Sequence, residues 1–185
     1  MTWRPFLALT VLLPATLAAQ QPRSIALGVG VGSLDRELGV TGTTAASGTV
    51  LQLDGTLGIG GPLALTLGAT GWARDDRRYL ALVPGLRAET RGPLRLGAQA
   101  GVGAAWFRTR ADCRELSYPG CGDPLESRAS IVASLGGGGK LALSPHLDLV
   151  LEGRFLTTLH QTGGFSFGRR PNALTTVMLG VGVRL

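Results

Sequence analysis

Three residues of the sequence are of the types that form the catalytic triad of a serine hydrolase: His160, Ser166 and Glu152. Such an enzyme needs its base within hydrogen-bond reach of the nucleophile, and an acid that orients the base. Glu152 falls in the middle of an alternating stretch, whereas Ser166 ends a glycine-containing segment, 161–166. The pattern therefore favours a solvated loop histidine, and we assign no catalytic residue.

Two glycine-rich stretches share only part of a nucleotide-binding motif. Four glycines precede Lys140, but a phosphate-binding loop needs glycine where Ser134 stands and serine or threonine where Leu141 stands. Gly28 and Gly30 lack the third glycine and the helix of a dinucleotide fingerprint. Both stretches are predicted to be strands, and we expect no cofactor.

The two cysteines, Cys113 and Cys121, flank a short segment that contains proline and glycine. Two cysteines are too few for a disulfide scaffold or a four-cysteine zinc site. Neither His146 nor His160 is near them in sequence, so we predict no metal site. In an exported protein, the oxidising compartment favours a disulfide that closes this segment.

The N-terminal segment has the features of an export signal. Arg4 is its one charge, and an apolar core that begins at Phe6 ends in small residues up to Ala19. A basic start, a short apolar core and a small-residue exit are typical of a cleavable signal peptide, and the core is too short for a membrane anchor. We therefore expect residues 1–19 to be a signal and residues 20–185 to form one mature domain.

The rest of the chain alternates between larger apolar residues and small or polar ones. This period of two is typical of β-strands, and most of the stretches have the length that a tilted strand needs to cross a bilayer. The eight apolar rows are Ile25, Leu27, Val29 and Val31; Leu51, Leu53 and Leu57; Leu63, Leu65 and Leu67; Leu80, Leu82 and Leu86; Leu94, Leu96, Ala98, Ala100 and Val102; Ala129, Ile131, Ala133, Leu135, Leu141 and Leu143; Leu147, Leu149, Leu151 and Phe155; and Thr175, Val177, Leu179, Val181, Val183 and Leu185. The pattern predicts eight strands.

The charged residues of these stretches all fall on the face opposite the apolar rows. They are Asp54, Arg87, Glu89, Arg95, Arg128, Lys140, Asp148, Glu152, Arg154 and Arg184. A basic side chain that faces the middle of a bilayer costs about 2–4 kcal/mol, so a lipid-facing surface should lack charge. Because eight strands enclose a lumen that side chains can fill, we expect these residues to form an internal ion-pair network.

The connections between the stretches alternate between short and long, as they do in outer-membrane barrels. The short ones are 60–62, 91–93 and 144–146; the long ones are 35–48, 73–78, 109–127 and 158–171. We expect a bulge at Pro84, where the ladder lacks a donor. We also expect the glycines 136–139 to interrupt the sixth strand and to mark a sharp bend.

The aromatic residues of the mature chain lie at or beyond the strand ends that adjoin the long connections, where a belt of aromatic residues at the membrane interface is expected. They are Trp72, Tyr79, Trp106, Phe107, Tyr118, Phe155, Phe165 and Phe167. Strict alternation turns Trp72 and Tyr79 inward instead.

With its export signal, eight alternating strands and alternating turns, the chain resembles the small outer-membrane barrels of the OmpA/OmpX type over about residues 24–185. The resemblance implies an all-β, eight-stranded antiparallel up-and-down transmembrane barrel. It also implies recognition of the last strand, 177–185, by the barrel-assembly machinery, although Leu185 stands where these proteins usually have an aromatic residue.

The function expected from the sequence is that of a bacterial outer-membrane protein with a structural or surface-interaction role and no open pore. Its expected partners are outer-membrane lipids and lipopolysaccharide, and we expect a monomer. The chain has a net charge of +6. Its sequence shows neither a zinc-finger pattern nor a row of basic residues interspersed with aromatic ones, so we expect no nucleic-acid binding. Two alternatives stay open: a secreted lipocalin-like binding barrel with its leucines inside, and an outer-membrane enzyme that modifies lipid A.

Overall fold

The protein folds as a closed, all-antiparallel β-barrel of eight strands. The computed structural model describes residues 23–38, 42–75, 77–110, 125–162 and 169–185. The strands are β1 (Arg23–Leu38), β2 (Gly42–Gly60), β3 (Leu63–Arg74), β4 (Arg77–Glu89), β5 (Leu94–Arg110), β6 (Leu125–Ala142), β7 (Leu147–Thr162) and β8 (Arg169–Arg184). Each strand pairs with its neighbour in sequence, and β1 pairs with β8. The predicted fold class is confirmed.

The predicted apolar rows lie on the outside of the barrel. In register, Leu65 of β3 stands between Leu57 of β2 and Leu86 of β4, and Leu179 of β8 stands between Val29 of β1 and Leu151 of β7. The rows of adjacent strands thus join into one apolar band. No helix in the described part of the chain is long and apolar enough to span a membrane.

The short turns form where they were predicted, but the strands at the other end are longer than expected. Asp35 pairs with Ala45 and Leu38 with Gly42, so most of the predicted connection 35–48 is strand. Likewise, β5 continues to Arg110. Backbone pairing needs no apolar alternation, and beyond the apolar band the side chains give no signal of where a strand ends.

The predicted bulge at Pro84 and the predicted interruption of the sixth strand were wrong. β4 and β5 keep one register on both sides of Pro84, with Leu82 opposite Ala104 and Gly85 opposite Gly101, so no bulge forms there. Proline removes one donor from the ladder without adding a residue. The glycines 136–139 lie within β6, and each pairs with both β5 and β7, so the strand is not interrupted.

Inward-facing glycines let adjacent strands curve closely around the lumen. A Cβ atom added at Gly30, Gly103, Gly138 or Gly180 would overlap a carbonyl oxygen of the neighbouring strand. Because an eight-stranded barrel is narrow, its inner face has room for large side chains at only some positions, and glycine stands at others. The larger inward side chains separate into a charged half and an apolar half of the lumen.

Candidate functional site

The charged half of the lumen lies toward the short turns. It contains all of the charged residues predicted for the inner face except Arg128, whose side chain is outside the described part of the structure. The residues brought together are Asp54, Arg87, Glu89, Arg95, Lys140, Asp148, Glu152, Arg154 and Arg184. They come from β2, β4, β5, β6, β7 and β8, so the closure of the barrel, and no local motif, assembles them.

Glu152 is the centre of this group. Its carboxylate, 2% exposed, accepts hydrogen bonds from Nη1 of Arg87 at 2.9 Å and from Nη2 of Arg154 at 2.8 Å. Nε2 of Gln99 donates at 2.6 Å and Nε2 of Gln52 at 3.2 Å. Two arginines and two amides therefore satisfy one buried carboxylate, as a buried charge requires.

The two arginines bound to Glu152 each reach a second carboxylate. Nη2 of Arg154 lies 2.7 Å from Oδ1 of Asp54, and Nε of Arg87 lies 2.9 Å from Oε2 of Glu89. Gly68 provides the space for the first pair, because a Cβ there would meet the Arg154 guanidinium and Asp54.

A second group of ion pairs lies closer to the short turns. Lys140 Nζ lies 3.0 Å and Arg95 Nη1 3.4 Å from the Glu89 carboxylate. Arg95 also contacts the buried Asp148, whose Oδ1 lies 3.2 Å from Nη2 of Arg184. The described network thus joins five cationic side chains to four carboxylates, and its links run from β2 to β8.

The apolar half of the lumen lies toward the long connections. Its buried residues are Leu34, Val50, Trp72, Tyr79, Ala81, Val83, Ala105, Phe107, Val132, Leu156 and Leu174. Trp72 Nε1 donates to the carbonyl of Gly32 at 3.1 Å, and a Cβ at Gly48 would meet its ring. Side chains therefore fill this half of the lumen as well.

Only some of the aromatic residues predicted for an interfacial belt face outward. Trp106 and Phe155 face outward and are 40% and 44% exposed, but Trp72, Tyr79 and Phe107 are buried inside the barrel. Their positions follow the alternation of their strands, which outweighs the preference of aromatic rings for the headgroup level. Tyr118, Phe165 and Phe167 lie outside the described residues.

The structure brings together no hydrolase set among the residues it describes. Glu152 is engaged by two arginines, while Ser166 and the side chain of His160 lie outside the described residues. Lys140 follows its four glycines within β6 and contacts Glu89, and Gly28 and Gly30 lie in β1. No group of three metal-ligating residues occurs in the described segments. Cys113 and Cys121 lie outside them.

Similarity to known proteins is found at the level of structure. No protein-family model matches the sequence, and no curated protein sequence matches it. Neisserial surface protein A (NspA) aligns with a TM-score of 0.63 at 12% identity, covering 87% of this chain and 97% of that one. Ail, the attachment invasion locus protein of Yersinia pestis, solved in complex with the heparin analogue sucrose octasulfate, aligns with a TM-score of 0.56 at 13% identity, covering 89% and 99%.

The outer membrane protein OprG of Pseudomonas aeruginosa aligns with a TM-score of 0.55 at 16% identity, covering 91% of this chain and 99% of that one. Identities this low show shared architecture and nothing about activity. This chain therefore has the fold of the small eight-stranded outer-membrane β-barrels.

Proposed function

We propose that this chain is a small bacterial outer-membrane barrel protein with a structural or surface-contact role and no open pore. The observation that carries this proposal is the apolar band on the outside of the barrel. Large apolar side chains are exposed on all eight strands, and Leu27, Leu51 and Leu179 are 54%, 59% and 55% exposed. An exposed apolar surface that encircles a protein is not typical of a soluble monomer.

The height of this band matches a bilayer. On β5 the outward apolar row extends from Leu94 to Trp106, which is about 40 Å along a strand at about 3.3 Å per residue. With a tilt of about 40°, the row covers about 30 Å across the membrane, the thickness of the hydrocarbon core. A soluble lipocalin-like barrel would need these rows inside, so the outward leucines disfavour that alternative.

The contents of the lumen support the absence of an open pore. The ion-pair network fills one half and the apolar cluster around Trp72 fills the other. An ion crossing the barrel would have to separate buried charge pairs and then pass an apolar segment, and both steps are costly.

Cell fractionation tests the proposed location. We expect the protein in the outer-membrane fraction, with a gel mobility that changes on boiling because a folded barrel is more compact than the unfolded chain. Recovery as a folded, soluble periplasmic protein without detergent would contradict the proposal. We also propose that residues 1–19 are removed and that Cys113 and Cys121 form a disulfide, and the isolated protein would test both. We further propose that the barrel-assembly machinery inserts the protein and that it is a monomer.

Two outward arginines support contact with anionic lipid at the outer rim. Arg78 and Arg108 are directly opposite each other on β4 and β5, and both are exposed. The next outward pair toward the bilayer is Leu80 and Trp106. Like charges in a cross-strand pair are destabilising on their own, whereas a phosphate between them would turn repulsion into two attractive contacts. We therefore propose that this pair contacts lipopolysaccharide phosphates, with Trp106 at the headgroup level.

The double variant Arg78→Gln/Arg108→Gln is expected to weaken lipopolysaccharide binding about 10-fold or more, because each basic residue near an anionic lipid surface contributes about 1 kcal/mol. Tryptophan fluorescence in detergent micelles, titrated with purified lipopolysaccharide, would measure the affinity. Dephosphorylated lipopolysaccharide should bind the unchanged protein as weakly as intact lipopolysaccharide binds the double variant. Equal binding by the double variant, or an equal loss in Arg91→Gln at the opposite end, would contradict this contact.

A further inference from the structure

The barrel opens at its short-turn end into a cavity of about 420 Å³. The walls include the start of β1 at Arg23, the β2–β3 turn at Gly61, and the β4–β5 turn at Arg91 and Gly92. The volume lies within the range of small-molecule sites in proteins, about 300–1,000 Å³. The floor is the charged half of the lumen, because Arg87 and Lys140 also line the cavity.

The lining of this cavity is strongly cationic. One carboxylate, Glu89, lines it together with six basic side chains, which are Arg23, Arg87, Arg91, Arg95, Lys140 and Arg184. Fixed charges of one sign in a concave, low-dielectric site concentrate ligands of the opposite charge.

The nearby carboxylates do not balance these cations. Glu89 is shared among Arg87, Arg95 and Lys140, and Asp148 is shared between Arg95 and Arg184. No carboxylate of the described residues lies within ion-pair distance of Arg91. Even with Arg23 left out, the five other basic side chains of the lining and Arg154 outnumber the four carboxylates of the network, so the lining keeps a surplus of positive charge.

A buried guanidinium in the lining also has an unused donor. Arg87 is 3% exposed, and its Nη2 has no hydrogen-bond partner among the described residues. Buried donors without partners are rare in proteins, because leaving such a group unpaired is destabilising. A ligand that supplies several oxygen acceptors would offset the charge surplus, and an acceptor that reached the floor of the cavity would also satisfy Nη2 of Arg87.

We propose that this cavity binds a small, multiply charged oxyanion, with phosphate or carboxylate groups, at the short-turn end of the barrel. Arg91 and Arg184 at the rim would contact the ligand first, and Arg95 with Lys140 would hold it deeper. The proposal depends on the fold alone. Outer-membrane barrels have their short turns on the periplasmic side, so in the proposed location the cavity faces the periplasm and the ligand comes from that compartment.

Titration of the refolded barrel in neutral detergent micelles with pyrophosphate, citrate and uncharged trehalose would test this proposal. Isothermal calorimetry would give the affinities, and backbone amide shifts would locate the site. We expect saturable binding of at least one oxyanion and none of trehalose, with the largest shifts at Gly61 and Gly92. If pyrophosphate binds with the higher affinity, the ligand class is a phosphate; if citrate does, it is a carboxylate.

Arg91→Gln and Arg184→Gln are each expected to weaken binding about 5- to 10-fold. The matched control is Arg74→Gln at the opposite end, where Arg74 is exposed beside Asp75. This variant should bind as the unchanged protein does. Boiled and unboiled gel mobility would show that each variant is folded. Absence of saturable oxyanion binding, shifts confined to the long-connection end, or an equal loss in the Arg74 variant would overturn the proposal. Because the assay uses micelles, its result is independent of where the barrel resides in the cell.

Discussion

Replacing Leu179 with arginine is expected to impair insertion and to lower the stability of the inserted barrel. Leu179 is 55% exposed and lies between Val29 and Leu151 on the outside of the barrel, several residues from the short-turn edge. A basic side chain near the bilayer midplane costs about 2–4 kcal/mol. Urea unfolding in lipid vesicles should therefore show a free energy of unfolding lower by about that amount.

Leu143→Arg is the matched control for this experiment. Leu143 is also exposed, at 56%, but it lies in the turn that joins β6 to β7, where the cost of arginine falls to about 0–1 kcal/mol. Leu65→Arg on β3 tests the same surface at a second strand. If Leu179→Arg folded with unchanged stability, its side chain would be in water, and the membrane-spanning assignment would be wrong.

Replacing Glu152 with glutamine is expected to lower the free energy of unfolding by about 3 kcal/mol or more. The substitution keeps the shape of the side chain but removes the charge that two buried arginines share. Removing one partner from a buried ion pair typically costs about 3–5 kcal/mol, because the other charge stays buried without compensation. Here Arg87 retains Glu89 and Arg154 retains Asp54, which keeps the expected loss at the lower end of that range.

Asp75→Asn is the control for charge removal. Asp75 lies 3.5 Å from Arg74, with side chains that are 85% and 48% exposed, and exposed pairs of this kind contribute at most about 1 kcal/mol. Arg154→Leu should also lower the melting temperature in detergent. The combination of Glu152→Gln with Arg154→Leu should cost less than the two single losses added together, since they share one interaction. An equal, small loss in Glu152→Gln and Asp75→Asn would show that the network does not stabilise the barrel.

The fold could be predicted because the membrane and the narrow lumen impose opposite requirements on the two faces of every strand. Leucine rows such as Leu63, Leu65 and Leu67 meet one requirement, and the intervening Ala64, Thr66 and Gly68 meet the other. The strand ends at the long connections could not be predicted, because beyond the apolar band neither face must be apolar. That is why Leu34 to Leu38 extends the first strand in the structure and not in the sequence pattern.

The aromatic residues show a second limit of prediction from sequence, which concerns the direction in which a side chain points. Residue type favours the membrane interface for Trp72, Tyr79 and Phe107, but alternation along the strand decides which way each side chain points. Burial inside the barrel then gives Trp72 a hydrogen bond to Gly32. When composition and alternation disagree within a strand, backbone geometry decides.

By itself, the sequence determined the strand number and which residues share a face, because both follow from a period of two along a single strand. It also placed the charges on the inner face. Only the tertiary structure decided which charges meet, since Glu152 and Arg87 are 65 residues apart and come together through the closure and register of the barrel. The same closure separates the lumen into a charged half and an apolar half and leaves a cationic cavity at one end, because packing across the lumen depends on all eight strands together.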